Sequence, residues 1–203
     1  MSLQQQESPL GEPAWDVAYL FPPQGQWSES DYLSLTTNRL VELADGRLEV
    51  LRMPTELHQL IVLCLYRKLL EFIEPKQLGM LLVAPLRVRL WEGKFREPDL
   101  IFMFSANSNR RGNRFWNGAD LVVEVVSDDD PDRDIVEKRA DYGRARIPEY
   151  WIVDPRNRTI TVLTLDESSS EYLEANRAFG GELAKSVLLD GFAIAAAEAF
   201  PAQ

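Results

Sequence analysis

Leu121-Val122-Val123-Glu124-Val125-Val126-Ser127 decides how the chain folds, because its unbroken apolar, largely β-branched run predicts a strand buried on both faces. Glu124 does not belong there on hydrophobic grounds. An ionised carboxylate left alone in such a strand costs several kcal/mol, so it must be protonated, paired with a cation or bound to a metal. A structural pair with a buried arginine meets the same need, and spacing alone does not choose between the two.

Downstream, Ser127-Asp128-Asp129-Asp130-Pro131 supplies capping carboxylates and a proline suited to a first helical position, which predicts a helix from about Pro131 to Arg144. Asp134, Lys138 and Tyr142 fall four apart and share one face of it. The lysine either reaches back over the end of the Glu124 strand or stands exposed in an ion pair with Asp134. Upstream, Asp99 opens the apolar run Leu100 to Phe104, and Pro98 limits ladder hydrogen bonding at that end, as an edge or opening would require. Two carboxylates at the ends of adjacent strands repel each other unless a cation joins them. Hard oxygen donors of this kind suit magnesium or manganese.

The rest of the chain frames that centre. Apolar positions Leu57, Leu60, Ile61, Cys64, Leu65, Leu69, Phe72 and Ile73 recur at helical spacing behind a Thr55 cap, predicting a helix over 55–73. Asp45-Gly46 between two alternating runs predicts a tight hairpin over Leu40 to Val50. Its register sets Leu43 against Leu48 and Glu42 against Glu49, a like-charge pair that must be solvated or bridged. Ser28 caps a short helix through about Leu35, and strands are expected at Met80 to Leu90, Phe95 to Phe104, Glu149 to Val153 and Arg158 to Leu165. Residues 166–203 read as an acidic loop, edge strands and an Ala-rich helical tail from Ala193. Residues 1–27 read as an arm, and 28–203 as a single domain.

With 203 residues, 45% of them apolar, the chain can bury one sizeable core. The opening stretch lacks the basic start and apolar core of a secretory signal, and the apolar runs fall far short of the roughly 20 residues of a membrane span, so a soluble protein is expected. The lone cysteine, Cys64, suits a reducing compartment, so a cytoplasmic protein is expected. A net charge of −10 excludes a protein that grips a polyanion by bulk electrostatics and leaves only local basic patches. The best of these is the stretch Ser105 to Gly118, with Arg110, Arg111 and Arg114 and no acid; a surface loop without a binding role is the competing reading. His58 is the only histidine and cannot by itself build a histidine-based site. With Glu42 and Glu56 it is a lesser candidate for the cation.

Glu97-Pro98-Asp99-Leu100, Leu121 to Ser127, Lys138 with Tyr142, and Pro148-Glu149-Tyr150-Trp151-Ile152-Val153-Asp154-Pro155, taken in that order, resemble the Uma-two family, placed in the PD-(D/E)xK superfamily with many restriction endonucleases. The similarity runs from about Leu33 to Leu165. It implies a restriction-endonuclease-like α/β fold, a mixed β-sheet flanked by helices. It also implies a magnesium- or manganese-dependent nuclease acting on nucleic acid, with DNA as the expected polymer and a homodimer as the expected assembly. By this resemblance Asp99 and Glu124 are the metal ligands and Lys138 the catalytic lysine, with Tyr142 a further hydrogen-bonding candidate. The superfamily lysine usually stands two residues after the second acid, where this chain has Val126. That departure keeps open a catalytically silent scaffold of the same fold, and a hydrolase of small phosphoesters is a third possibility.

Overall fold

The computed structural model describes residues 21–37, 39–128, 130–166 and 168–201. The expected arm therefore lies, as far as Leu20, outside the described residues. Ser28 caps α1 (Glu29–Ser34): its hydroxyl accepts from the Asp31 N–H while the Asp31 carboxylate accepts from the Ser28 N–H. The hairpin strands β1 (Val41–Ala44) and β2 (Arg47–Val50) pair in the expected register, Leu43 with Leu48 and Glu42 with Glu49. Asp45 and Gly46 both take positive φ, 50° and 73°, which this tight turn requires.

Thr55 caps α2 (Glu56–Ile73), whose buried stripe is Ile61, Leu65, Leu69 and Ile73. Each such side chain contributes about 1.5–3 kcal/mol on burial. Leu57 and Leu60, expected within the stripe, are exposed.

The next two strand-like runs are each divided. The first becomes β3 (Gly79–Val83) and β4 (Arg87–Trp91); the second becomes β5 (Lys94–Arg96) and β6 (Leu100–Phe104). Pro85 and Pro98 stand at the breaks, where a missing N–H cannot continue a ladder. A 3₁₀ turn over Ser105–Arg110 leads to β7 (Phe115–Asn117), a short strand inside the stretch expected to be a loop. Then come β8 (Leu121–Val125), a helical segment whose π turn, Arg133–Glu137, runs into α3 (Lys138–Arg144), then β9 (Glu149–Asp154), β10 (Thr159–Leu165) and β11 (Tyr172–Phe179). The chain closes with β12 (Leu183–Lys185), β13 (Ala193–Ala195) and α4 (Ala196–Ala199), so the Ala-rich tail begins as a strand and turns helical only at Ala196.

Six strands form a mixed sheet in the order β11-β10-β9-β8-β6-β3, in which β8 and β9 are parallel and the other neighbours antiparallel. Five form a second sheet, β2-β1-β5-β4-β7. The helical segment after β8 is the crossover that a parallel β8–β9 pair needs. Alternation along β8 sends Val123 and Val125 to the core under α2 and the C-terminal segment, and Val122 and Val126 to the opposite core with Tyr142 and Tyr150. Glu124 is in step with Val122 and Val126, and so faces the side that carries α3. The C-terminal segment is tied down by Glu149, whose buried carboxylate accepts from the Trp151 indole, the Ser186 hydroxyl and the N–H groups of Val187 and Leu188.

Candidate active site

Leu100 pairs with Val123, which sets Asp99 against Glu124 at the next position of the ladder. The Pro98 break that moves the chain from one sheet to the other thus delivers Asp99 beside the buried acid. Asp99 Oδ2 accepts from the Val125 N–H at 2.8 Å and lies 3.1 Å from His58 Nε2, while its main-chain carbonyl accepts from the Ala84 N–H. The Glu124 side chain is 3% exposed, with Oε2 2.8 Å from Lys138 Nζ and Oε1 accepting from the Tyr142 hydroxyl. Lys138 also pairs with Asp134 Oδ1 at 2.9 Å. Both sequence readings of the lysine therefore hold together, except that its pair with Asp134 is buried rather than exposed. The π turn is the local device: Tyr150 donates its hydroxyl to the Asp134 carbonyl there, and Lys138 N–H closes the wide turn on Arg133.

Asp99, Glu124 and Asp134 face one lysine and one histidine. Burial raises the Glu124 pKa above the ordinary carboxylate range, and the charges of Asp99 and Asp134 add to the rise against the pull of Lys138. Burial disfavours the charged forms of Lys138 and His58, yet the surrounding carboxylates outweigh it and raise both pKa values. A cluster that draws protons so strongly is short of positive charge. The donor chemistry fits a hard divalent ion held by Asp99 and Glu124, with water and phosphate oxygens filling the rest of its shell. Among the described residues no group of three or more His, Cys, Asp or Glu side chains is placed to hold a metal ion.

These residues line a cleft of about 760 Å³ together with Asp128, Asp130 and Arg133, and with an apolar wall that includes Val50, Met53, Leu57 and Leu63. Of the exposed leucines of α2, Leu57 and Leu63 find their place here and Leu60 does not. Among the described residues, His58 Nδ1 and Arg133 Nε are buried without a hydrogen-bond partner, and both side chains belong to this cleft.

The other sequence candidates divide. Glu42 is fully buried and committed to cations: its Oε2 meets Arg96 Nη1 at 2.6 Å and also Arg133, and its Oε1 accepts from the Glu97 N–H. Glu49 meets the same two guanidiniums, so the like-charge pair is bridged rather than solvated. Glu56 is exposed and does not line the cleft. Arg110 pairs with Asp120, just before β8 and at the end of the sheet opposite Glu124, and Arg111 is exposed beside it. Arg114 stands apart from both, lining a small pocket next to the cleft. Sequence reasoning gave no role to Arg96 and Arg133. The one signal for them was the unbalanced Glu42–Glu49 pair, which called for a cation without saying which.

The architecture and this strand-end pair of acids define a restriction-endonuclease-like α/β protein. Its fold is shared with a crystal structure titled as a putative nuclease belonging to DUF820 from Anabaena variabilis ATCC 29413, with a TM-score of 0.70 over 85% of this chain and 97% of that one at 16% identity. Curated proteins give no match. The family model Uma2, described as "Putative restriction endonuclease", matches residues 27–197, and the chain belongs to that family. Among the described residues no helix is long and apolar enough to cross a membrane.

Proposed function

We propose that the chain is a metal-dependent nuclease that hydrolyses phosphodiester bonds in DNA, with Asp99 and Glu124 holding a magnesium or manganese ion. The observation that carries this reading is the pairing of these two acids across neighbouring strand ends in an open cleft, in a cluster short of positive charge. A bound ion would polarise a phosphate oxygen and lower the pKa of an attacking water. The chain's own groups do the rest. His58 and the Val125 N–H fix the Asp99 carboxylate, and Tyr142 and Lys138 fix that of Glu124. Lys138 stays protonated among three carboxylates, and its ammonium lines the cleft, where it offsets negative charge developing on the phosphate. It reaches from α3 the face that Val126 occupies with an apolar side chain.

The test is cleavage of plasmid and of labelled DNA and RNA strands by the wild type with magnesium or manganese, beside Asp99→Ala purified in parallel. Manganese binding by calorimetry should fall when either acid becomes alanine. Unchanged binding in both variants overturns the ion site. Cleavage of small phosphodiesters without cleavage of polymers would favour a small-molecule hydrolase. The closed bonding of Glu124 to Lys138 and Tyr142 also suits a silent scaffold of the same fold, and ion binding without any cleavage would favour that reading. Cutting both strands of a duplex favours a homodimer, for which the edge strand β11, with Leu173 and Phe179 exposed, offers the contact.

A further inference from the structure

Glu97 has two sides: one belongs to the cleft that holds Asp99 and Glu124, the other to a second pocket of about 200 Å³ lined by Arg39, Arg87 and Arg114 with Thr37. The pairing of β4 with β5 and β7 builds it. Val88 opposite Arg96 and Arg87 opposite Phe115 bring Arg87, Glu97 and Arg114 to one end of the five-stranded sheet, the end from which the chain crosses to Asp99. Arg87 is held in place, with Nε 3.4 Å from Glu97 Oε1 and its guanidinium 4.4 Å from the centre of the Tyr32 ring. Arg114 gives one N–H to the Leu33 carbonyl. A guanidinium has five N–H donors, so both keep several to offer. Arg39 is exposed, and among the described residues its guanidinium has no partner.

Three guanidiniums line one small pocket against a single acid, a local concentration of positive charge on a body of net charge −10. We propose that Arg39, Arg87 and Arg114 form a subsite for a backbone phosphate of the nucleic acid strand, beside the bond that is cut. Glu97 lines both pockets and Asp99 is two residues further along the chain, so the subsite adjoins the ion site. The subsite rests on the nuclease reading for its ligand and not for its geometry.

The experiment is fluorescence anisotropy of short labelled DNA, single-stranded and duplex, with the full chain in calcium buffer across a salt series. Wild type is compared with Arg39→Ala, Arg39→Lys and Arg114→Ala, and each protein's melting temperature and manganese binding are measured alongside. The expected result is affinity about 5–10-fold weaker for each alanine variant. The slope of log affinity against log salt should be shallower by about 0.9 on duplex, with most affinity retained in Arg39→Lys, and melting and manganese binding should not change. Wild-type affinity and slope in both alanine variants would overturn the subsite and leave the nuclease reading standing. Loss of manganese binding or of thermal stability in both would make the arginines structural and overturn it as well. No binding of either DNA by the wild type would overturn both readings together.

Discussion

Lys138 holds two buried carboxylates apart from solvent and from each other's charge, so its removal has two separate consequences. Lys138→Ala should lower cleavage by about 10²-fold or more, as loss of a transition-state cation does. It should also cost stability of about 3–5 kcal/mol, because Glu124 and Asp134 are left buried without their partner. Urea unfolding reads the second effect independently of the first. Lys138→Arg should recover only part of either, since a planar guanidinium copies a compact ammonium poorly. An active, fully stable Lys138→Ala protein would remove the lysine from both roles. Tyr142→Phe is the milder change: loss of one hydrogen bond to a charged group, about 1.5–3 kcal/mol, with cleavage reduced less than in the lysine variant.

The elements around the site are joined by Arg96, which ties Glu42 and Glu49 of the hairpin to Asp141 of α3. Burial alone would raise the Glu42 pKa, but Lys138, Arg96 and Arg133 more than offset it and hold the carboxyl at about 2 against an ordinary 4.5. A depressed carboxylate contributes stability above its unfolded pKa and loses it as pH falls through the folded one. The hairpin should therefore loosen between pH 4.5 and about 2. Unfolding free energies measured across that window should fall in the wild type and fall less steeply in Glu42→Gln; equal slopes would refute the assignment. The hairpin itself was legible in the sequence, down to its register, because a two-residue turn and alternating side chains are local signals. So was α2, by its cap and spacing. The partition of 80–104 between two sheets was not, because Pro85 and Pro98 mark breaks without saying where the next strand goes. β7 was missed because three residues in a polar stretch carry no period. Glu42 needed Arg96 and Arg133, which stand 54 and 91 residues further along, beyond any local pattern. Glu124 stood out because a carboxylate in a valine run is an energetic contradiction wherever it occurs, whereas Asp99 and Lys138, which lie beside it, were singled out by their places at a strand start and on a helix face together with the family resemblance.

At the scale of the whole molecule, the six-stranded sheet ends in β11 and β3, the strands through which a second copy could extend it. Light scattering at high concentration should return twice the chain mass of about 23 kDa if β11 pairs as proposed; a monomer throughout would remove the dimer. The division of charge has a further consequence for how such a protein would meet its substrate. Three arginines and one lysine line the two pockets, while the whole chain carries a net charge of −10. Repulsion of a polyanion by that charge reaches far at low salt and is largely screened beyond about 8 Å in physiological salt. Stopped-flow association should accordingly quicken as salt rises from low values, while dissociation also quickens as the arginine contacts weaken; association that slows steadily with salt would contradict this. A molecule so charged gains little from one-dimensional sliding, which depends on sequence-independent attraction to the backbone. It would search by repeated collisions from solution and would stay only where a strand reaches its arginines.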